Sequence, residues 1–90
     1  MDFTMIVLFY SNLLNYTGGA SSFEPKNSRS MRELIDELGR QFGGRFKGFL
    51  LGDENCFFLL NGRSIALTGG LDSPLQQEDT IEALPLIEAG

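Results

Sequence analysis

Apolar residues along this chain fall into a few short runs separated by stretches rich in glycine, asparagine and serine. The first run, residues 3–10, is almost continuously apolar and β-branched, which is typical of a strand covered on at least one face. Residues 11–20 contain two asparagines and a pair of glycines and predict a turn-rich connection. Residues 21–24 predict a short second strand that pairs with the first as a hairpin, and Pro25 restricts it to a sheet edge.

The strongest helix signal lies in the middle of the chain. Ser30 and Glu33 have the S-x-x-E spacing of a capping box, in which each side chain accepts a hydrogen bond from the backbone N–H of the other residue. The apolar residues that follow recur at helical spacing and form one stripe, namely Met31, Leu34, Ile35, Leu38 and Phe42. The pattern predicts a helix over Met31–Phe42 that ends at Gly43 and Gly44 and packs its stripe into the core.

The second half of the chain predicts three further strands. The stretch after the helix is ambiguous and fits a short helical turn. Cys56–Leu60 is an apolar run of strand length, and the Asn61-Gly62 pair that follows is a strong signal for a tight hairpin turn. Residues 65–67 predict a weak continuation of the returning strand, and residues 80–84 predict the last strand.

Composition limits the chemistry of the chain. Ninety residues fit one domain, and a hydrophobic content of 42% with eight phenylalanines supplies its core. The sequence has no histidine and one cysteine, which excludes an intramolecular disulfide, a Cys/His zinc site and histidine-based catalysis. Cys56 lies in an apolar run and is predicted to be a small buried hydrophobe. The net charge of −5 argues against non-specific nucleic-acid binding and suits a partner with a basic surface.

Other sequence features predict a cytoplasmic protein that is not itself an enzyme. The apolar run at residues 5–10 is too short to span a bilayer and lacks the flanks of a signal peptide. The acidic pairs Asp53-Glu54 and Glu78-Asp79 are adjacent in predicted loops and are interpreted as solvated turns, not as an acid–base pair. We therefore expect no cofactor, no metal, no membrane contact and no catalytic side chains.

The last residues of the sequence form an unusual stretch. Pro85 has no N–H, so we expect strand pairing to end there and residues 86–90 to leave the sheet and project. Gly90 has no Cβ, so its backbone could pass through a narrow channel and present a carboxylate. Taken alone, this stretch fits an ordinary frayed terminus at least as well.

Four motifs follow one another in the C-terminal third of the chain, namely Asn61-Gly62-Arg63-Ser64-Ile65, Gly70-Leu71-Asp72-Ser73-Pro74-Leu75, Asp79-Thr80-Ile81 and Leu84-Pro85. Read together, they resemble the MoaD/ThiS family of sulfur carriers. The capped helix and the first strand also occupy the places that this family predicts. The resemblance implies the α+β class and the ubiquitin-like β-grasp fold, a mixed four- to five-stranded sheet packed on one main helix. It also implies a domain over residues 1–85 and a projecting tail over residues 86–90.

Two positions differ from the family pattern. Glu78-Asp79 stands where Gly-Asp is common, so the turn lacks a glycine that tolerates positive φ. The tail ends in Ala89-Gly90 and not in Gly-Gly. Ala89 adds a methyl group and restricts φ where the family's penultimate glycine is expected to enter the narrow channel of an adenylating enzyme. This leaves three outcomes open, namely slower activation, activation only by a cognate enzyme, or no activation.

The resemblance also implies a function for the tail. Gly90 is the expected reactive residue, and the partner-binding tail comprises Pro85, Leu86, Ile87, Glu88 and Ala89. The Gly90 carboxylate would be adenylated with ATP on an E1-like adenylating enzyme, and a sulfur donor would then convert it to a thiocarboxylate. The implied role is the small subunit of a molybdopterin-synthase-like system, whose large subunit or another sulfur acceptor takes the sulfur.

Two alternatives stay open at this point. The chain could be a non-catalytic β-grasp interaction module, or a ubiquitin-like protein modifier whose Gly90 is joined to lysines of target proteins. In each case the exposed sheet face near the tail is the expected partner surface, although Phe57-Phe58-Leu59-Leu60 is apolar throughout and does not show which residues face outwards.

Overall fold

A computed structural model of the protein describes residues 4–52 and 55–86, and the structural statements below concern those residues. The elements, in chain order, are β1 (Ile6–Phe9), β2 (Ser22–Phe23), α1 (Met31–Phe42), α2 (Gly44–Leu51), β3 (Cys56–Leu60), β4 (Arg63–Ser64) and β5 (Thr80–Pro85). Short 3₁₀ helices lie at Ser11–Asn15, Ile65–Leu67 and Gly70–Asp72.

The strands form one mixed sheet in the order β2-β1-β5-β3-β4. The first and last long strands, β1 and β5, are parallel neighbours, while the other three pairings are antiparallel. A parallel pair requires a crossover connection, and here the two helices and the β3–β4 hairpin provide it. The last strand therefore lies at the centre of the sheet. The predicted α+β class and mixed five-stranded sheet are confirmed.

Helix α1 begins and ends at the predicted residues, but its cap differs in one detail. The Ser30 hydroxyl oxygen accepts a hydrogen bond from the Glu33 N–H at 3.2 Å, as predicted. The Glu33 carboxylate, however, accepts from the Arg29 N–H at 2.8 Å and not from Ser30. Ser30 forms an isolated β-bridge with Pro74, so the chain enters the helix in an extended conformation. The Glu33 carboxylate thus accepts its hydrogen bond from the residue before the one that the capping box predicted.

The ambiguous stretch after α1 forms the second helix, α2. Gly43 joins the two helices with φ of 114°, a value that favours glycine. The two glycines within α2 lower its helix propensity, which explains the weak signal in the sequence. Its Phe46 ring is fully buried and packs edge-on against Phe9 at a centroid distance of 5.7 Å and in a stack with Tyr16 at 5.3 Å. Core packing therefore decides the conformation of this segment.

The core lies between the helices and one face of the sheet. The predicted helix stripe is buried at Met31, Leu34, Ile35 and Leu38, and Phe42 packs against it. Inward-facing strand residues complete the core, namely Val7, Phe9, Cys56, Phe58, Leu60, Ile81 and Ala83. Burial raises the pKa of the Cys56 thiol to about 11, which confirms this residue as a buried hydrophobe and not a reactive thiolate.

Two loop predictions had different outcomes. The Asn61-Gly62 pair forms the hairpin turn as predicted, with φ of 52° and 86° respectively. The predicted strand continuation at residues 65–67 is wrong, because Ile65–Leu67 forms a 3₁₀ helix. The Ser64 hydroxyl oxygen accepts a hydrogen bond from the Ala66 N–H at 3.2 Å, so a local cap turns the chain out of the strand after two residues.

Candidate functional site

The strand that precedes the predicted tail is the central strand β5, and it is one residue longer than the predicted last strand. Pro85 is the last residue of β5 and pairs with Cys56 of β3. The Leu86 N–H then donates a hydrogen bond to the Asn55 carbonyl oxygen at 2.9 Å. Strand pairing thus ends at Pro85 as expected, although Pro85 itself belongs to the strand, and one further backbone hydrogen bond ties Leu86 to the β3 side of the sheet.

The direction of the backbone amides explains why proline is tolerated there. Successive N–H groups of a strand point to opposite sides, so the Leu86 N–H faces β3 while the Pro85 nitrogen faces β1. Pairing with β1 stops at the Phe9–Ala83 pair, two residues before Pro85. No ladder hydrogen bond is lost at that position, which is the situation in which a strand tolerates proline.

The loop before β3 fixes the carbonyl group that holds Leu86. The Asn55 side-chain amide donates a hydrogen bond to the Phe49 carbonyl oxygen of α2 at 3.2 Å. Gly52 lies against the same amide, and a Cβ there would collide with the Asn55 nitrogen. The end of α2 is thereby tied to the start of β3, and this tie supports the base of the tail.

The predicted tail residues lie only partly within the described chain. Pro85 is buried, whereas Leu86 is 45% exposed immediately after the strand. The remaining predicted tail residues, Ile87, Glu88 and Ala89, and the predicted reactive residue Gly90, lie outside the described residues.

An apolar sheet surface lies beside the base of the tail. Alternation along the strands sends one set of side chains into the core and the other set to the opposite side. We call this opposite side the outer face, and its side chains on the three central strands are Ile6, Leu8, Phe57, Leu59, Thr80, Glu82 and Leu84. Phe57 and Leu84 are cross-strand partners next to the tail, and Phe57 is 39% exposed. This surface fits the sheet face near the tail that the sequence led us to expect.

One carboxylate lies within the outer face. Glu82 of β5 has Leu8 of β1 and Leu59 of β3 as its cross-strand partners. Its Oε2 atom accepts a hydrogen bond from the Tyr10 hydroxyl at 2.8 Å. This hydrogen bond, together with desolvation and the Glu82 charge, raises the pKa of Tyr10 because it stabilises the protonated phenol. The hydroxyl thus remains a donor throughout the neutral range.

Sequence reasoning predicted a partner surface on the sheet near the tail but did not identify its residues, and it missed the pairing of Tyr10 with Glu82. These two residues are 72 positions apart, and only the parallel pairing of the first and last strands brings them together. One signal was available, because Glu82 interrupts an otherwise apolar strand. The identity of the outward residues in β3 required the register with β5.

Two classes of site are not found in the described part of the chain. Residues 4–52 and 55–86 contain no group of three or more His, Cys, Asp or Glu side chains placed to hold a metal ion. Neither α1 nor α2 has the length and apolar character needed to cross a bilayer.

Comparison with solved structures relates this geometry to known proteins. The crystal structure of the Amycolatopsis orientalis BexX/CysO complex contains a chain that is 27% identical, with a TM-score of 0.83 over 96% of this chain and 99% of that chain. Mycobacterium tuberculosis CysO is 19% identical, with a TM-score of 0.81 over 92% of this chain and 99% of that chain. A Pyrococcus furiosus protein assigned as molybdopterin converting factor subunit 1 is 19% identical, with a TM-score of 0.76 over 93% and 98% of the respective chains.

These likenesses confirm the ubiquitin-like β-grasp fold, and the two at 19% identity show the fold alone. A sequence comparison with curated proteins gives no match. The ThiS family model matches residues 7–90, which include the whole tail and every outer-face residue except Ile6. The resemblance of the helix, turn and tail motifs is thereby confirmed, and the chain belongs to the ThiS family of MoaD/ThiS-like sulfur carriers.

Proposed function

We propose that this protein is a sulfur carrier whose Gly90 carboxylate is adenylated by a partner enzyme and then converted to a thiocarboxylate. The observation that carries the proposal is the position of Leu86, the first residue of the tail, at the end of the central strand beside the partly exposed outer face. The family match, which extends to residue 90, supports the same function. The protein would act as a carrier, with the catalytic groups on its partners.

The geometry suits a protein whose own tail is the substrate of a partner enzyme. Hydrogen bonds hold the sheet up to the Leu86 N–H, so the residues that enter a partner's active site start from a defined point. The outer face lies next to that point and offers Phe57 and Leu84 for docking. We propose that an enzyme binds this face and draws residues 86–90 into its active site, so that binding energy from the face places the reacting carboxylate. The domain over residues 1–85 is then the part that the enzyme binds.

The proposed chemistry has two steps. A carboxylate oxygen of Gly90 attacks the α-phosphorus of ATP, which forms an acyl-adenylate and releases pyrophosphate. A sulfur nucleophile then attacks the carbonyl carbon and displaces AMP, which leaves the sulfur on Gly90. Both steps need positioning and charge stabilisation that the enzyme would supply, and the carrier contributes the carboxylate.

We propose an E1-like adenylating enzyme as the first partner and a sulfur acceptor, such as a synthase large subunit, as the second. The solved relatives named above support function in protein complexes, since one is part of the BexX/CysO complex and another is assigned as a converting-factor subunit. A molybdopterin-synthase-like system is our specific proposal. The free Cys56 thiol suits the reducing cytoplasm as the place of action.

Intact-mass measurement tests the proposed function. The protein is incubated with the adenylating enzyme encoded in the same genome, ATP and sulfide. We expect a mass increase equal to the replacement of one oxygen by sulfur, and none without ATP or after deletion of Gly90. Cys56 retains its thiol in both forms, so fragmentation must place the new sulfur on Gly90. If the wild-type protein stays unmodified while it binds the enzyme, the carrier function is refuted.

Ala89 is the basis for a second candidate function. The family pattern has glycine at this position, where the tail enters the narrow channel of the adenylating enzyme. An interaction module that is never activated does not need that glycine, so the methyl group of Ala89 is compatible with such a module. We propose that Ala89→Gly is activated at least as fast as the wild type, whereas Ala89→Val is activated far more slowly. If deletion of Ala89 and Gly90 leaves cellular function intact, the interaction module is the correct function.

A further inference from the structure

Glu82 lies at the centre of the outer face. It belongs to the central strand β5, and its cross-strand neighbours are Leu8 on one side and Leu59 on the other. Leu84 follows on the same face along β5 and is paired with Phe57. A carboxylate therefore has apolar neighbours on three sides, with Thr80 on the fourth, on the surface that we propose is covered by a partner.

Within residues 4–52 and 55–86, little of the hydrogen-bonding capacity of this carboxylate is satisfied. An ionised carboxylate accepts about four hydrogen bonds, and the Tyr10 hydroxyl supplies one of them at 2.8 Å. The ion pairs among the described residues join Arg32 to Asp72 and Lys47 to Asp36, so Glu82 takes part in neither. The positions of the outer face carry no lysine or arginine. Water can solvate the remaining lone pairs only while the face stays uncovered.

From this arrangement we infer that the protein partner covering the outer face places an arginine or lysine side chain opposite Glu82. The inference rests on the proposed function, in which an adenylating enzyme docks on this face. Burial of an ionised carboxylate without a cation or sufficient donors is strongly unfavourable, whereas an opposed cation compensates for the lost water. The net charge of −5 favours a basic partner surface in the same way.

The same carboxylate disfavours a second copy of this chain as the occupant. A twofold pairing of two outer faces would bring two Glu82 side chains towards each other with no cation between them. Like charges in a covered interface disfavour association, so Glu82 acts against self-association through this face. A different protein with a matching cation is the occupant that the charge pattern selects.

Tyr10 is assigned a positioning role in this contact. Its hydroxyl holds one oxygen of Glu82 in place, and the other oxygen, which has no hydrogen-bond donor among the described residues, would accept from the partner's cation. A carboxylate that is already oriented loses less conformational freedom when the partner binds. Tyr10 is therefore expected to affect affinity through Glu82 and not through a contact of its own.

Binding measurements with the adenylating enzyme test this inference. Glu82→Gln keeps the size of the side chain and removes its charge, and we expect the dissociation constant to rise roughly 10- to 100-fold at low salt. Asp72→Asn is the matched control, because it changes the net charge equally on the helix side of the molecule, where Asp72 pairs with Arg32. That variant is expected to bind within about twofold of the wild type.

The role of Tyr10 is tested with a double-mutant cycle. Tyr10→Phe is expected to weaken binding about three- to tenfold, and this effect should vanish in the Glu82→Gln background because the two groups act as one unit. Circular dichroism of each variant verifies that it is folded. A Tyr10→Phe effect that persists unchanged without the carboxylate would contradict the positioning role.

A second cycle identifies the opposed cation. Each arginine or lysine on the docking surface of the enzyme is replaced by glutamine, and one of these changes should lose its effect when Glu82 is glutamine. Equal binding of Glu82→Gln and Asp72→Asn, or the absence of any coupled enzyme residue, would overturn the inference. Those results would leave the proposed function intact if the wild-type protein still acquires its thiocarboxylate, so the two failures are distinguishable.

Discussion

Replacement of Glu78 by glycine is expected to stabilise the fold, because Glu78 holds a backbone conformation that suits glycine. Its φ is 78°, in the left-handed region, where an L-residue with a Cβ is disfavoured by about 1–2 kcal/mol. The position lies in the turn that leads into β5, where the family pattern commonly has glycine. The turn is therefore formed with Glu78 in place of glycine, and the Glu78 backbone is strained.

The size of the effect follows from two opposing terms. Glycine removes the strain but makes the unfolded chain more flexible, which costs about 0.5–1 kcal/mol. The Glu78 side chain is exposed and takes part in none of the hydrogen bonds or ion pairs identified among the described residues, so its removal should cost little else. With the middle value of each range, the net gain is about 0.75 kcal/mol, which corresponds to a rise in Tm of roughly 3–6 °C for a domain of this size.

Thermal unfolding followed by circular dichroism measures this gain. Glu78→Ala is the first control, since it removes the same charge but keeps the Cβ, and it should not reproduce the gain. Gln77→Gly is the second control, because φ of Gln77 is not positive, so glycine there is expected to lower Tm. Equal increases in Tm for Glu78→Gly and Glu78→Ala would show that charge, and not backbone strain, sets the effect, and our reasoning would be refuted.

Three further predictions concern other parts of the fold. Asp79→Ala should lower the free energy of unfolding by about 1–2 kcal/mol in urea titrations, since the Asp79 carboxylate accepts hydrogen bonds from the Gln76 N–H at 2.7 Å and the Asn61 amide at 2.9 Å. An Asp79→Ala variant that is as stable as the wild type would contradict a role for these hydrogen bonds. Cys56 should react with a thiol reagent far more slowly in the folded than in the urea-unfolded protein, because its raised pKa of about 11 keeps the thiol protonated. Since the unfolded thiol ionises from about pH 9, the free energy of unfolding should also fall as pH rises towards 11. The Cys56→Ala variant should not show this decrease. The Lys47 side chain lowers the pKa of Asp36, chiefly through a hydrogen bond. The stabilisation of the folded protein by this pair is therefore present above the ordinary pKa of 3.8, and it is lost as pH falls through the lowered folded-state pKa. Urea titrations should show the wild type and Asp36→Asn converging in stability at acid pH, and a constant difference would argue against this pair.

Local signals in the sequence were sufficient for a large part of the fold. The cap at Ser30 and the apolar stripe behind it predicted both ends of α1, because helix boundaries depend on nearby residues. The Asn61-Gly62 pair predicted its hairpin, since few residue pairs adopt positive φ at two successive positions. The tail motifs were recognisable for a similar reason, as they are short and contiguous.

Other features depended on residues far apart in the chain. Helix α2 contains two glycines and forms because the core requires Phe46 against Phe9 and Tyr16. Pro85 remains in β5 because its nitrogen faces the side of the strand on which the β1 ladder has already ended. Neither feature follows from local propensity, which is weaker than burial and register when these conflict.

The sequence by itself therefore determined the class of fold, the family and the tail residue on which a function could be proposed. Only the tertiary structure decided which side chains make up the surface next to that tail. The run from Phe57 to Leu60 is apolar at each position, so its inward and outward residues are defined only by pairing with β5. Tyr10 and Glu82 meet only because the first and last strands are parallel neighbours. Register and strand order are non-local properties, and the outer face depends on both.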